Sequence, residues 1–97
     1  MRIDLYSLRL FRATLDEGSL TRAAEREHIA PSALSKRISD LEQDFGIRLL
    51  VRAARGVVAT PAGEALGRHA RQILGNVAQM ERDMADLADG RRGHVRV

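Results

Sequence analysis

Apolar residues return at helical intervals over most of this chain, in blocks separated by residues that stop helices. In the first block Leu5, Leu8, Phe11 and Leu15 recur every three or four positions, the spacing of one helix face. Asp4 is a good N-cap, and Ile3 before it with Leu8 after it matches a hydrophobic staple, so this helix is expected to begin at Leu5 and stop at Gly18. Ser19 can cap a short second helix running through Ala23 and Ala24 to about Glu27. Pro31 fits the first turn of a third, whose Leu34, Ile38, Leu41 and Phe45 are spaced four, three and four apart before Gly46 ends it. From Ile47 to Ala59 the period changes. Leu49-Leu50-Val51 and Val57-Val58-Ala59 are β-prone runs around Arg52-Ala53-Ala54-Arg55-Gly56, which predicts a small hairpin. Thr60-Pro61 restarts a long helix, with Thr as N-cap and Pro at the first helical position, and this helix is expected to end near Asp89-Gly90. The tail from Arg91 to Val97 alternates His94, Val95, Arg96 and Val97 like the first strand of a further unit, and reads as a truncated boundary.

Composition narrows the fold further. A chain of 97 residues supports one compact core plus at most one projecting element. Hydrophobic residues at 44% can pack that core, but aromatics at 3% and no Trp leave it to Leu, Ile, Val, Ala and Met, which suits helices packed on helices. The absence of Cys excludes disulfides, thiolate metal sites and cysteine nucleophiles, and fits a reducing cytoplasm. No apolar run approaches the roughly 20 residues of a membrane span, and Met1-Arg2-Ile3-Asp4 turns to charge too early for a secretory signal. His28, His69 and His94 lack metal-ligand spacing, and no Gly-rich phosphate loop follows a strand. Glu42, with Asp40 and Asp44, reads as the solvated edge of a helix rather than an acid/base pair. No catalytic residue, metal or cofactor is therefore expected, and the net charge of +3 points toward an anionic partner.

Three consecutive helices with small Ala23 and Ala24 in the middle one and a short turn before the third form a helix-turn-helix pattern, because the second and third helices must cross closely. Winding the third helix at about 100° per residue sets Leu34, Ile38, Leu41 and Phe45 on one stripe. Ser32, Lys36, Ser39 and Gln43 fall opposite, with Ser35 on the flank. That outer face is polar and short, and basic in its N-terminal half, which suits a helix entering a major groove.

The run Gly18-Ser19-Leu20-Thr21-Arg22-Ala23-Ala24, followed by Ser32-Ala33-Leu34-Ser35, Ile38, Leu41-Glu42, Phe45-Gly46, Leu49 and Arg52, resembles the N-terminal domain of the LysR-type transcriptional regulators. The similarity runs from about Leu5 to Val97. Thr60-Pro61-Ala62-Gly63-Glu64 resembles the start of that family's linker helix, and Gly93-His94-Val95-Arg96-Val97 the start of its effector-binding domain. The resemblance implies a mainly α fold: a winged helix-turn-helix of three helices and a hairpin wing over residues 1–59, a long dimerising linker helix over 60–89, and the beginning of an effector-binding domain over 90–97. It implies sequence-specific binding to double-stranded DNA as a homodimer at an inverted-repeat operator, with higher oligomers open to the full-length protein and any small-molecule effector bound only through the C-terminal domain. By the same resemblance Ser35 and Lys36 face the groove, Ser19, Thr21 and Arg22 lie near phosphates, and Arg52 and Arg55 belong to the wing; Pro31, Ser32, Arg37 and Ser39 complete the expected DNA-contacting set. For Ser19, N-capping alone is a sufficient explanation. Thr21 and Arg22 also sit in a first helical turn, where free amides favour an anion.

Two positions depart from the family pattern. The family often has Ser or Thr, then Gln, then Pro where this chain has Ala30, Pro31 and Ser32, so a base-reading Gln is missing. Glu27 stands where an apolar residue is usual and is expected to snorkel to water from the helix end.

The last helix carries Leu66, Ala70, Ile73, Val77, Met80, Met84 and Leu87 at alternating spacings of four and three, a heptad seam. The globular part can cover only some of it, so the remainder calls for a partner, most simply a second copy; the resemblance implies antiparallel pairing. A module joining a different chain through the same seam is the competing reading. Gly67 and Gly75 weaken this helix by up to about 1 kcal/mol each and mark either close approach or tolerance.

Overall fold

In the computed structural model, which describes residues 3–90, the elements follow the order α1 (Leu5–Glu17), α2 (Leu20–Glu27), α3 (Pro31–Phe45), β1 (Leu50–Ala53), β2 (Gly56–Ala59) and α4 (Pro61–Gly90). Local chemistry sets most of the starts. Asp4 accepts a hydrogen bond from the Ser7 amide at 2.7 Å, Ser19 from Arg22 at 3.1 Å and Thr60 from Gly63 at 3.0 Å, each satisfying an N–H that the first turn leaves without a partner. The third helix differs: its N-cap, Ala30, has no side-chain acceptor, and Pro31 begins the helix through its fixed φ. Both α1 and α3 stop at a glycine in the left-handed conformation, Gly18 and Gly46. His28 ends α2 in the same conformation at φ 60°, a cap for which the sequence holds no glycine signal.

The central helix is α1, which touches α2, α3, α4 and β2. Around it the core gathers Leu10, Phe11, Ala13, Ala23, Ala24, Leu34, Ile38, Leu41, Leu49 and Leu50. Ala23 and Ala24 are wholly covered, as a close crossing of α2 requires. The buried face of α1 is wider than the stripe read from spacing: Leu5 is exposed, while Ser7, Leu10, Ala13 and Thr14 join Leu8 and Phe11 inside. A helix packed on several sides buries more than one amphipathic stripe. Thr14 meets the cost of its hydroxyl by donating to the Leu10 carbonyl at 2.9 Å.

The strands pair antiparallel with Leu50 opposite Ala59 and Arg52 opposite Val57. The ladder thus extends further than the β-prone runs, leaving only Ala54 and Arg55 as the turn. Glu27 does not snorkel to water. Its side chain is 6% exposed, with Arg9 Nε at 2.8 Å and Arg26 Nε at 3.6 Å, so paired cations, rather than solvent, offset the burial of its charge.

The start of α4 lies across α1, and this divides the heptad seam. Ala70 has no exposed surface and Leu66 packs against the core, so these two expected dimer residues are already used within the chain. The open part begins at Ile73 and continues through Met80, Met84 and Leu87, each more than a third exposed, with Val77 half-buried among them. A helix of 30 residues spans about 45 Å, which accounts for the long dimension of 56 Å beside 26 and 20 Å. Gly67 marks a close approach, since a Cβ there would press on Leu15; Gly75 has open space around it. The strand expected within residues 91–97 lies outside the described residues.

Candidate nucleic-acid interface

With Leu34, Ile38 and Leu41 turned into the core, helical geometry sends Ser32, Lys36, Ser39, Asp40 and Gln43 outward, and all five are exposed. The Lys36 side chain is 77% exposed, with Asp40 one turn on at 3.4 Å. An exposed pair at this spacing is worth only about 0.3–0.5 kcal/mol, so Lys36 can exchange Asp40 for a stronger acceptor. At the N-terminal end of this face, exposed Pro31 and the side-chain-uncapped first turn leave amides available to an anion.

Ser35 and Ser39 lie toward the hairpin, where they line a groove with Leu20, Arg48, Arg52 and Val57. Arg52 is on β1 and Arg55 in the turn; both are exposed, and among the described residues neither has an ion pair. The hairpin is held against the α1–α2 junction. Val57 donates its N–H to the Gly18 carbonyl at 3.1 Å, and Gly56, at φ 128°, sits where a Cβ would overlap that same carbonyl. This approach brings the wing beside Ser19. The Ser19 hydroxyl oxygen is engaged as the α2 cap. The Thr21 side chain is exposed and makes no hydrogen bond among the described residues, and Arg22, 66% exposed, donates to the Glu17 carbonyl at 3.0 Å.

Arg37, also among the expected DNA contacts, reaches back to the start of α1. One position beyond Lys36, it turns about 100° toward α1. There its Nη1 donates to Ser7 Oγ at 3.1 Å and Asp4 Oδ2 at 3.4 Å, and its guanidinium lies 4.8 Å over the Tyr6 ring. The same cluster holds the Asp4 carboxyl below its usual range, mainly through the Ser7 amide, then the Ser7 hydroxyl and Arg37.

Nearby acidic groups are largely matched. Arg26 reaches Glu17 at 3.3 Å and Asp16 at 3.4 Å, and the Glu17 hydrogen bond, with Asp16 beside it, pushes the guanidinium above its ordinary value. Arg22, Lys36, Arg48, Arg52 and Arg55 remain as exposed cations around α3 and the hairpin. Sequence reasoning missed Arg48, and it misread Glu42. The Glu42 side chain is only 19% exposed, and its Oε2 accepts from the Leu49 amide at 2.8 Å and the Leu50 amide at 3.2 Å. Nothing in the local pattern signals this, because its partners lie seven and eight residues on, beyond a turn. Among the described residues no helix is long and apolar enough to cross a membrane.

Residues 5–64 match the family model described as bacterial regulatory helix-turn-helix protein, lysR family. The chain is 40% identical to the nitrogen assimilation regulatory protein nac of Klebsiella aerogenes, over 98% of this chain and 31% of that protein. It is 42% identical to the transcriptional regulator BenM of Acinetobacter baylyi, over 80% of this chain and 26% of that protein. It therefore spans about a third or less of the length of these curated relatives. Among solved structures, the BenM DNA-binding domain in complex with catB site 1 DNA matches with a TM-score of 0.86 at 40% identity, over 91% of this chain and 99% of that one. The complex of the CbnR DNA-binding domain with DNA matches with a TM-score of 0.78 at 32% identity, over 90% and 99%.

Proposed function

The chain belongs to the lysR family of bacterial regulatory helix-turn-helix proteins, and from that premise we propose that it binds an inverted-repeat operator as a homodimer and so regulates transcription in the bacterial cytoplasm. Residues 1–59 read DNA, residues 60–89 pair two copies, and any small-molecule effector acts through the region that the longer relatives have beyond this span. The observation that carries the proposal is the exposed polar and basic face of α3, centred on Lys36, with the exposed arginines of the hairpin beside it. On this reading α3 enters the major groove, where Lys36 donates to guanine O6 or N7 and Ser32, Ser35 and Ser39 make shorter polar contacts. Pro31 borders the same groove. Arg52 and Arg55 approach the flanking backbone and minor groove, and Thr21 and Arg22 approach phosphates near the start of α2.

The uncovered seam from Ile73 to Leu87 supports self-pairing, because a contiguous apolar stripe on a projecting helix favours a partner. Two recognition helices related by a two-fold axis read half-sites about one helical turn or a multiple apart, and their binding energies combine.

Selection of bound duplexes from random DNA by the purified chain tests the proposal, followed by anisotropy titration of the selected sequence at several salt concentrations. An inverted repeat should be enriched. If Arg22, Lys36, Arg52 and Arg55 of both copies all neutralise phosphates, the log–log salt slope approaches about −7; base contacts by Lys36 make it shallower. No enrichment together with a flat salt response would replace this reading with a protein-interaction module that uses the seam alone.

A further inference from the structure

Two helices converge on residues 48–50, where the hairpin begins. From α3, the Glu42 carboxylate accepts both the Leu49 and Leu50 N–H groups on one oxygen and pairs with Arg48 Nε at 3.5 Å. From the start of α4, the Thr60 hydroxyl donates to the Arg48 carbonyl at 2.7 Å, and the Thr60 N–H donates to the Leu49 carbonyl at 3.0 Å. One turn on, Gly63 lies so close that a Cβ would overlap the Leu49 carbonyl. The hairpin begins at Leu50, and Leu49 is 2% exposed. Thus the two backbone groups of Leu49 are divided between α3 and α4, and among the described residues Glu42 is the only α3 side chain hydrogen-bonded to this segment.

We propose that Glu42 is a positioning residue that holds the wing and the root of α4 at a fixed distance and angle from α3, so that the spacing between half-sites is selected along with their bases. The inference rests on the reading of the chain as a homodimer on an inverted repeat. In that arrangement the two α3 helices are related only through their α4 helices, and a two-fold axis doubles any slack at the α3–α4 junction. Adding one base pair between half-sites displaces them by about 3.4 Å and rotates them by about a tenth of a turn. The hydrogen bonds accepted by Glu42, added to the packing of α3 and α4 on α1, resist that displacement, whereas the four residues that join α3 to β1 yield more to it without them.

The experiment measures the affinity of the full chain for its selected operator and for versions with one base pair added or removed between half-sites. The parent should bind the altered spacings about ten-fold or more weakly, as expected when one of two linked contacts is strained. Glu42→Ala should retain the base preference within each half-site yet bind all three spacings within about three-fold of one another, and Glu42→Gln, which keeps an acceptor oxygen, should restore the discrimination. Undiminished spacing discrimination in Glu42→Ala would overturn the proposal, as would joint loss of base preference and spacing preference. Thermal melting accompanies the titrations. If Glu42→Ala does not fold, Glu42→Asp, which keeps the charge but is one carbon shorter, carries the same expectation; failure of both to fold would make Glu42 a stability residue and overturn the positioning role. A parent without spacing preference would instead sink the inverted-repeat reading itself.

Discussion

Met80 lies midway along the open part of the seam and is 54% exposed, so Met80→Asp should leave the single chain intact and act on association alone. Full burial of a methionine side chain is worth about 1.5–3 kcal/mol. With roughly half of that surface still open on each of two copies, the apolar contribution removed from a dimer is about 2–3 kcal/mol, or about 30- to 150-fold in the dissociation constant. Desolvating the new carboxylate adds to the loss, and Asp83, three residues on along the helix, repels it. Sedimentation velocity over a concentration series should therefore show a monomer where the parent is a dimer, with the helical circular dichroism signal retained and only the part of the melting temperature that depends on protein concentration lost. Anisotropy should show lost preference for the inverted repeat but residual salt-sensitive affinity for any duplex. Ala70→Asp provides the contrast: it places charge at a position wholly covered within the chain, so it should lower the melting temperature of the monomer itself. A Met80→Asp protein that stays dimeric, or a monomer that selects the repeat as well as the parent does, would refute the assignment of this stripe to self-pairing.

Lys36→Ala should cost about 1–3 kcal/mol on the selected operator and relax preference at one position per half-site; equal loss on random duplex would make Lys36 a phosphate contact. Arg55→Ala should shrink the nuclease footprint at its outer edges, where a hairpin turn approaches the minor groove, and an unchanged footprint with unchanged affinity would remove the wing from the interface. Ala30 already has the extended backbone of an N-cap, φ −68° and ψ 141°, so Ala30→Ser should raise stability in urea denaturation by about 0.5–1 kcal/mol; no gain would mean that water or Pro31 already meets the need of the first turn. The lowered pKa of Asp4 implies that its carboxylate contributes stability above the unfolded value of 3.8, which is lost as pH falls through the folded value below it. Acid titration of Asp4→Asn, which still caps but does not ionise, should show a shallower loss of stability below pH 3.8 than the parent; identical profiles would deny the cap that role.

The starts and stops of the helices were legible because they depend on neighbours in sequence: Asp4, Ser19 and Thr60 cap amides three residues away, and Gly18 and Gly46 take up a conformation most residues avoid. The outward face of α3 was legible for a related reason, since Leu34, Ile38 and Leu41 leave Lys36 only one direction. Arg37 was not. It is one residue away and equally basic, and only the proximity of Asp4, Ser7 and Tyr6 at the start of α1 makes it a clamp between helices.

By itself, then, the order of residues determined where each helix begins, where α1 and α3 stop, the apolar stripe of α3, and that an apolar seam runs along α4, because capping and helical periodicity act over three or four residues. Tertiary structure decided how those surfaces are used. It assigned Leu66 and Ala70 to the core and left Ile73 to Leu87 open, matched Glu27 with Arg9 rather than water, and turned Glu42 from a helix edge into the anchor of the wing. Each outcome depends on what lies across from a side chain after the chain has folded back, and neither the spacing nor the charge of a residue specifies the neighbour it meets there.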